Sequence, residues 1–368
     1  MTRHMRLMSI PWLVAATLLM AIASVPVRAT DSQALPPERA NGHTIYMIGS
    51  TLMADYTTAI IDHLKKNTDL PPPIVSEGGS TRGVSVFCAG IGLNTPDIVA
   101  MSRRILTTEL ENCRDHGVTD IIEIQIGYDA AGIVSRRDDQ DYPLTLVSMY
   151  HAIAAELPDT AGRFTPNRYQ RWHDVDPSLP DTEIRFILPV PSLGGRAFLE
   201  NRMLQSACRH IPAISTIFGA EDRVRQCVSL RTDNRIVELD TPYAQNVVTA
   251  LATSPPGTLA NLPLHFVLAH QEFLKVQPFD GVLPDHETVS NHQYGFIRPL
   301  YFLVKKAHIK NYLGRGLVVG LREFITEITR ESTIGPSGYL VKMGLFPLDE
   351  KNRKQTRETS LRLDTTNR

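Results

Sequence analysis

Glycines, small hydroxyls and guanidinium groups crowd into residues 77–104, which read EGGSTRGVSVFCAGIGLNTPDIVAMSRR. Gly78, Gly79, Ser80, Thr81 and Gly83 make a turn whose backbone can come close to a ligand, because glycine has no side chain to hold it off. A helix-compatible run follows at 84–89, and a short apolar strand at 98–101 ends on Ser102, Arg103 and Arg104. Turn and helix-start amides, hydroxyls and a guanidinium at a strand end are the groups that hold a tetrahedral oxyanion. An arginine at such a strand end can bond phosphate through two donors at once, which lysine cannot. Three candidate contact sets result: Ser50-Thr51 after Gly49, Ser80-Thr81, and Ser102-Arg103.

These groups need a frame. Residues 44–48 read as a strand ending in the Gly49-Ser50-Thr51 turn. Residues 54–64 carry helical periodicity, with Tyr56, Ile60, Ile61 and Leu64 on one face. A short strand is expected at 74–76 and a helix at 107–115, capped by Thr107 or Thr108 with Glu111. A strand at 121–126 is followed by an extended run at 130–135. Strand, glycine turn and helix alternate, which predicts a parallel α/β sheet with ligands at the carboxyl ends of its strands. A second unit spans about 138–293. It contains helices at 144–155, 197–208 and 244–252 and strands at 184–190 and 264–269. Its strand at 184–190 also runs into a glycine turn bearing an arginine, Arg196. Beyond Phe296 come a strand at 300–304, a helix at 317–328 and a compact close at 338–346. The charged stretch from Asp349 is poor in apolar residues and is expected to fray.

The chain has 368 residues and a formal charge of −1. Arg3, His4 and Arg6 precede an apolar run at 10–24, and Val27-Arg28-Ala29 offers small residues for a cut. Residues 1–29 therefore read as a cleaved signal peptide, too short for a membrane span. Loss of its three arginines takes the charge to −4 and leaves about 340 residues, enough for two cored domains. A mildly acidic chain of this kind excludes a nucleic-acid partner, which selects a basic face. Export puts Cys88, Cys113, Cys208 and Cys227 in an oxidising compartment. Four cysteines allow three pairings. The two local ones, Cys88–Cys113 and Cys208–Cys227, are the expected pairs. Neither cysteines nor histidines stand at metal-ligand spacing, so no metal is expected. The nucleophile elbow, the His-Glu-x-x-His helix and the phosphate loop with its lysine are all missing from the sequence. The scattered histidines carry no visible chemistry.

Several stretches in order resemble the periplasmic phosphate-binding proteins of high-affinity phosphate ABC importers, most of all an alphaproteobacterial-type branch. They are Phe87-Cys88-Ala89-Gly90, Thr95-Pro96-Asp97-Ile98, Ser102-Arg103-Arg104, Gly117-Val118-Thr119-Asp120-Ile121, Ile126-Gly127-Tyr128-Asp129, and Arg298 to Phe302 followed by Val304 to His308. The resemblance runs from about residue 44 to 352. It implies a two-lobed type II periplasmic binding protein fold, an α/β architecture in which two crossover strands form a hinge. Lobe one would comprise 30–133 and 297–350, lobe two 134–296, and 351–368 a flexible tail. It also implies a monomer in the periplasm that binds inorganic phosphate and serves an ABC permease, without cofactor or catalysis. The implied ligand set adds Ser192, Gly194, Gly195 and Arg196 from lobe two. Asp129, in the first crossover, would accept the proton of hydrogen phosphate, which fully ionised sulfate lacks. Arg103→Ala is expected to weaken the main ligand by about 2–4 kcal/mol.

The chain also departs from that family's pattern. Where the family has Gly-Ser-Ser-Thr, this chain has Gly49-Ser50-Thr51-Leu52, and where it has Ser-Gly-Thr-Arg, this chain has Leu193-Gly194-Gly195-Arg196. Three hydroxyls are lost, each worth about 1.5–3 kcal/mol as a hydrogen bond to a charged group. Two alternatives therefore stand beside phosphate import: a divergent relative that binds another oxyanion or acts as a low-affinity sensor, and a secreted phosphoester hydrolase, for which no nucleophile–base pair is visible.

Overall fold

A computed structural model of the protein describes residues 44–191, 193–309 and 318–366. The expected signal peptide lies outside these residues. The backbone of the fold is one bent sheet shared by two lobes. Lobe one contributes β1 (Tyr46–Gly49), β2 (Ile74–Glu77) and β3 (Ile98–Met101). β1 pairs in parallel with both β2 and β3, as the alternation of strand and helix requires. Between them run α1 (Ala54–Asn67), α2 (Gly79–Phe87) and, after β3, α3 (Thr107–Asp115).

The expected strand at 121–126 and extended run at 130–135 are a single strand, β4 (Ile121–Arg136), which passes from one lobe into the other. In lobe two follow α4 (Leu146–Ile153), a small hairpin of β5 (Glu156–Pro158) and β6 (Phe164–Pro166), α5 (Trp172–Val175), β7 (Arg185–Pro189), α6 (Gly194–Leu199), β8 (Ile236–Leu239), β9 (Thr258–Pro263) and β10 (Leu274–Val276). The return strand β11 (Ile297–Lys305) lies antiparallel between β3 and β4. The order across the sheet is β2-β1-β3-β11-β4-β9-β7-β8, with β10 also on β4. Each lobe has its own core, around Met47, Ile124, Phe302 and Phe324 in the first and around Tyr150, Trp172, Phe186 and Met203 in the second.

Three expectations change. The glycine turn at 78–83 does not precede a helix but forms the first turns of α2. Gly83 allows this, since a Cβ there would stand 2.9 Å from Val99 Cγ1 and push α2 off β3. The run 264–269 is a helix, Leu264–Ala269, not a strand. An apolar run of six cannot separate a buried strand from a buried helix by period alone. Here β9 uses the residues just before it and ends on Pro263, which has no N–H to give a ladder. The tail is a helix, Glu350–Arg362, not a frayed end. Asp349 accepts from the Asn352 amide at 2.8 Å as its cap. Arg353 is held by Glu331 at 3.1 Å and by the Leu348 carbonyl at 2.6 Å. Polar anchoring replaces the apolar face that the sequence lacks. A smaller change is that α3 is capped by Glu109 accepting from the Leu106 amide, at 2.9 Å, and not by a threonine with Glu111.

Both disulfides form as paired above, Cys88–Cys113 and Cys208–Cys227. Among the described residues no helix is long and apolar enough to cross a membrane. Lobe one is further locked by buried polar groups. Asp97, fully buried, accepts from the Tyr46 amide at 2.7 Å and meets His308 Nδ1 at 2.6 Å. His308 Nε2 meets the Ile91 carbonyl at 2.6 Å. The Lys305 ammonium reaches the Gly90 carbonyl and Thr95 Oγ1, each at 2.6 Å, above the ring of Phe87. His308→Ala takes the imidazole from a buried carboxylate and is expected to lower stability by about 3–5 kcal/mol. Urea unfolding followed by circular dichroism measures it, and a loss below about 1 kcal/mol would contradict this account of lobe one.

Candidate functional site

Three serines meet at the lobe-one edge. Ser50 follows β1, Ser80 lies in the first turn of α2 and Ser102 follows β3. Ser50 Oγ and Ser80 Oγ each stand 3.4 Å from Ser102 Oγ, and Ser80 Oγ accepts from the Ser102 amide at 3.2 Å. Gly49 lets β1 lie this close to β3, since a Cβ there would be 2.8 Å from that of Ala100. Thr81 Oγ1 accepts from Arg103 Nη2 at 3.3 Å. The Arg103 guanidinium is bound by both oxygens of Glu109, at 2.6 and 2.8 Å, and so is tied to the start of α3.

The remaining candidates divide. Thr51 lies in a short 3-10 turn, Thr51–Met53, which α6 meets from the other lobe. Gly194 and Gly195 open α6. Ser192 lies outside the described residues. Arg196 is buried, and its guanidinium is engaged by Glu200 Oε1 at 2.7 Å, Glu238 Oε1 at 2.6 Å and the Pro189 carbonyl at 3.2 Å. Those bonds fasten α6 to the ends of β7 and β8.

A different polar centre lies between the lobes. Asp129 on β4 and Arg298 on β11 are direct cross-strand partners. Asp129 Oδ2 accepts from Arg298 Nε at 2.8 Å and Nη2 at 2.5 Å, while Oδ1 accepts from the Ala130 amide at 2.8 Å. Both residues are buried. Arg298 Nη1, also buried, has no protein partner. The lobe-two ring of Phe198 covers the guanidinium, 4.8 Å from Cζ to the ring centre. His265, at the start of the helix Leu264–Ala269, brings Nδ1 to 3.7 Å from Asp129 Oδ1, an ion-pair distance beyond hydrogen-bond reach, and that nitrogen likewise makes no hydrogen bond within the protein. The buried Tyr56 hydroxyl on α1 is a third such atom.

Asp129, Arg298 and His265 line a cavity of about 340 Å³, together with Gly195, Leu52, Leu193 and Phe198. Tyr56 lines an adjoining hollow that shares Leu52, Asp55 and His265. Burial pushes the Asp129 carboxyl up, but Arg298 and then His265 outweigh it and hold it below the usual carboxylate range. Burial, and then the Asp129 charge, push the Tyr56 hydroxyl well above its ordinary value, so it stays a donor. A guanidinium N–H, a phenol O–H and an imidazole nitrogen without protein partners can together take an oxyanion. Among the described residues no cluster of side chains could hold a metal ion.

Of the residues expected from sequence, the structure brings together Ser50, Ser80 and Ser102 in one group and Asp129 and Gly195 in another. Arg103 and Arg196 are each bonded to carboxylates, Arg196 through Nε and Nη1. Arg298, His265 and Tyr56 were missed. Arg298 stood inside a recognised stretch, opposite in charge to Asp129 and also in an extended run, which is the signal for a cross-strand pair. His265 was hidden by the strand expected at 264–269.

Two α/β lobes on one crossover sheet with a polar cavity between them define a bilobed binding protein, of the two-lobed type II periplasmic binding protein fold. Residues 34–332 match the model of the PBP superfamily domain, and the chain belongs to that superfamily. Solved structures agree on the fold. A possible phosphate binding protein from Planctomyces limnophilus aligns with a TM-score of 0.61 at 17% identity, covering 88% of this chain and 99% of that one. An ABC-type phosphate transport receptor from Vibrio cholerae aligns with a TM-score of 0.57 at 16% identity, over 82% and 99%. A phosphate-binding protein from Stenotrophomonas maltophilia gives 0.55 at 13% identity, over 86% and 93%. No curated protein sequence matches.

Gly344, at φ +105°, carries lobe-one backbone against His265, where a Cβ would overlap that of the histidine. Gly344→Ala is therefore expected to hold the lobes apart and raise the radius of gyration in X-ray scattering. An unchanged radius would refute this contact. The depressed Asp129 carboxyl also sets a pH window. Its contribution to stability is fully present above the ordinary value of 3.8 and is lost as pH falls through the lower folded-state value. The melting-temperature gap between wild type and Asp129→Asn should hold steady from neutral pH down to about 4 and shrink below it. A gap that widens in acid would contradict the assignment.

Proposed function

We propose that this protein is a solute-binding protein that closes its lobes on phosphate and delivers it to the membrane permease of an ABC importer. It acts in the periplasm as a monomer, after loss of its leader, and makes or breaks no bond. One observation carries the reading. Arg298 Nη1 is buried without a protein partner on the wall of an interlobe cavity. Buried polar groups are nearly always bonded, so an orphan donor of a charged group on a cavity wall marks where a ligand completes the count. The likeness to solved phosphate-binding proteins supports the same solute. Asp129 aims Arg298 through Oδ2, while Oδ1, which accepts from the Ala130 amide, keeps a lone pair for the proton of hydrogen phosphate. The clustered serine hydroxyls gather on lobe one outside the lining of this cavity, and Gly195 brings the start of α6 to its wall.

Titration calorimetry of the mature protein with phosphate tests the reading. Wild type should bind. Arg298→Ala should lose about 2–4 kcal/mol of affinity, the cost of stripping a buried charge partner from an anion. Arg103→Ala should change it by less than about 1 kcal/mol, the worth of a part-exposed ion pair. Equal losses would move the anion to the serine edge. Absence of heat at millimolar phosphate, with the fold intact, would overturn the proposal.

A further inference from the structure

The cavity is larger and greasier than a bare tetrahedral oxyanion needs. Its volume of about 340 Å³ lies within the ~300–1,000 Å³ range of sites for small organic molecules. Its charged end is compact: the free Nη1 of Arg298, Nδ1 of His265 and, next door, the Tyr56 hydroxyl. Most of the rest of its wall is carbon, from Leu52, Pro189, Leu193, Phe198, Pro263 and Phe266, with Thr241, Gln245 and Asn261 set among them. Asp55 stands exposed at the rim. Leu52, Leu193 and Gly195 are the three positions at which the chain lacks the hydroxyls of the pattern described above, and all three face this one cavity. At Leu52 and Leu193, one on each lobe, a hydroxyl position is taken by surface that gains from excluding water.

We propose that the cleft takes a phosphoryl group bearing a compact apolar substituent, a phosphonate or a phosphate monoester. The phosphoryl oxygens meet Arg298, and the carbon body lies against Leu52, Leu193 and Phe198. This rests on the solute-binding reading above and names its substrate class. No covalent step is involved. Inorganic phosphate occupies the charged end alone and leaves the carbon wall facing water. Phe198 has a double part, since its ring covers the guanidinium and also forms the wall beside it.

Calorimetry on the mature protein with phenylphosphonate, phenyl phosphate, inorganic phosphate and benzoate decides the matter. Phenylphosphonate or phenyl phosphate should bind at least tenfold more tightly than inorganic phosphate. The Leu52→Ser/Leu193→Ser double variant should lose most of that preference, its affinity for the phenyl compounds falling toward its own affinity for inorganic phosphate. If the double variant melts early, Phe198→Leu gives the same reading, with a reduced preference for the phenyl compounds. Inorganic phosphate equal to or tighter than both phenyl compounds would overturn the inference and leave the solute-binding reading standing. Benzoate tighter than phenylphosphonate would overturn the phosphoryl assignment. Failure of all four compounds to bind, with no compaction in X-ray scattering, would remove the solute-binding reading and this inference with it.

Discussion

The buried pair of Asp129 and Arg298 is the interaction on which the cleft depends. A buried ion pair is a poor stabilising device. Removing the two charges from water costs several kcal/mol per ion, and a well-packed apolar pair of the same volume often does as well or better. Its value here is geometric. β4 and β11 are held in register, so the two side chains face each other directly. The carboxylate takes Nε and Nη2, which fixes the plane of the guanidinium and leaves Nη1 directed away. A bulge between Leu300 and Tyr301 bends the ladder just beside the pair. At Gly127, where φ is +157°, a Cβ would lie 2.6 Å from the Phe346 carbonyl, so the closing segment of the chain can pass close by. Sheet register, bulge and glycine all serve to present one donor to one cavity.

Lobe one is built to stay still around that point. The Asp97–His308 contact and the Lys305 ammonium bind the loop before β3 to the end of β11, and Cys88–Cys113 ties α2 to α3. Unmatched, any of these buried groups would be costly. Matched, they resist local opening. Lobe two is held differently, by apolar packing around Trp172 and by Arg196, which joins α6 to two strand ends. Since α6 also carries Phe198, the carboxylates of Glu200 and Glu238 position the apolar wall of the cavity through Arg196.

Most of the frame was legible in the sequence, because period and turn chemistry act locally. β3 and α3 fall at the expected residues, and both disulfides are the two local pairs. The errors share a cause. Leu264–Ala269 and the terminal helix depend on what surrounds them, a strand already completed at Pro263 in one case and Glu331 as an anchor in the other. The candidate site was harder for a similar reason. A guanidinium beside serines and glycines has the composition of an anion site, yet whether an arginine is free depends on which carboxylates the fold brings to it, near or far in the chain. Glu238 stands 42 residues from Arg196. Arg298 and Asp129 are 169 residues apart and become a pair only through the crossover. The stretches that carried the resemblance hold Thr95, Asp97, Lys305 and His308, which lock lobe one, as well as Asp129 and Arg298, which face the cleft.

In a hinged two-lobed protein, whatever lies on the axis scarcely moves while the bodies on either side turn. β4 and β11 are strands by which the chain passes between the lobes, and Asp129 and Arg298 sit on them side by side. Their arrangement is therefore nearly the same with the lobes apart as with the lobes together. On the solute-binding reading proposed above, a charged group entering the open cleft meets a receptor that is already assembled, and closure brings Leu193 and Phe198 onto whatever protrudes. Capture and retention are thereby divided between two parts of the molecule. The rate of arrival is governed by the field at the hinge and falls with added salt. The dwell time is governed by the carbon surface of the moving lobe, which salt hardly screens.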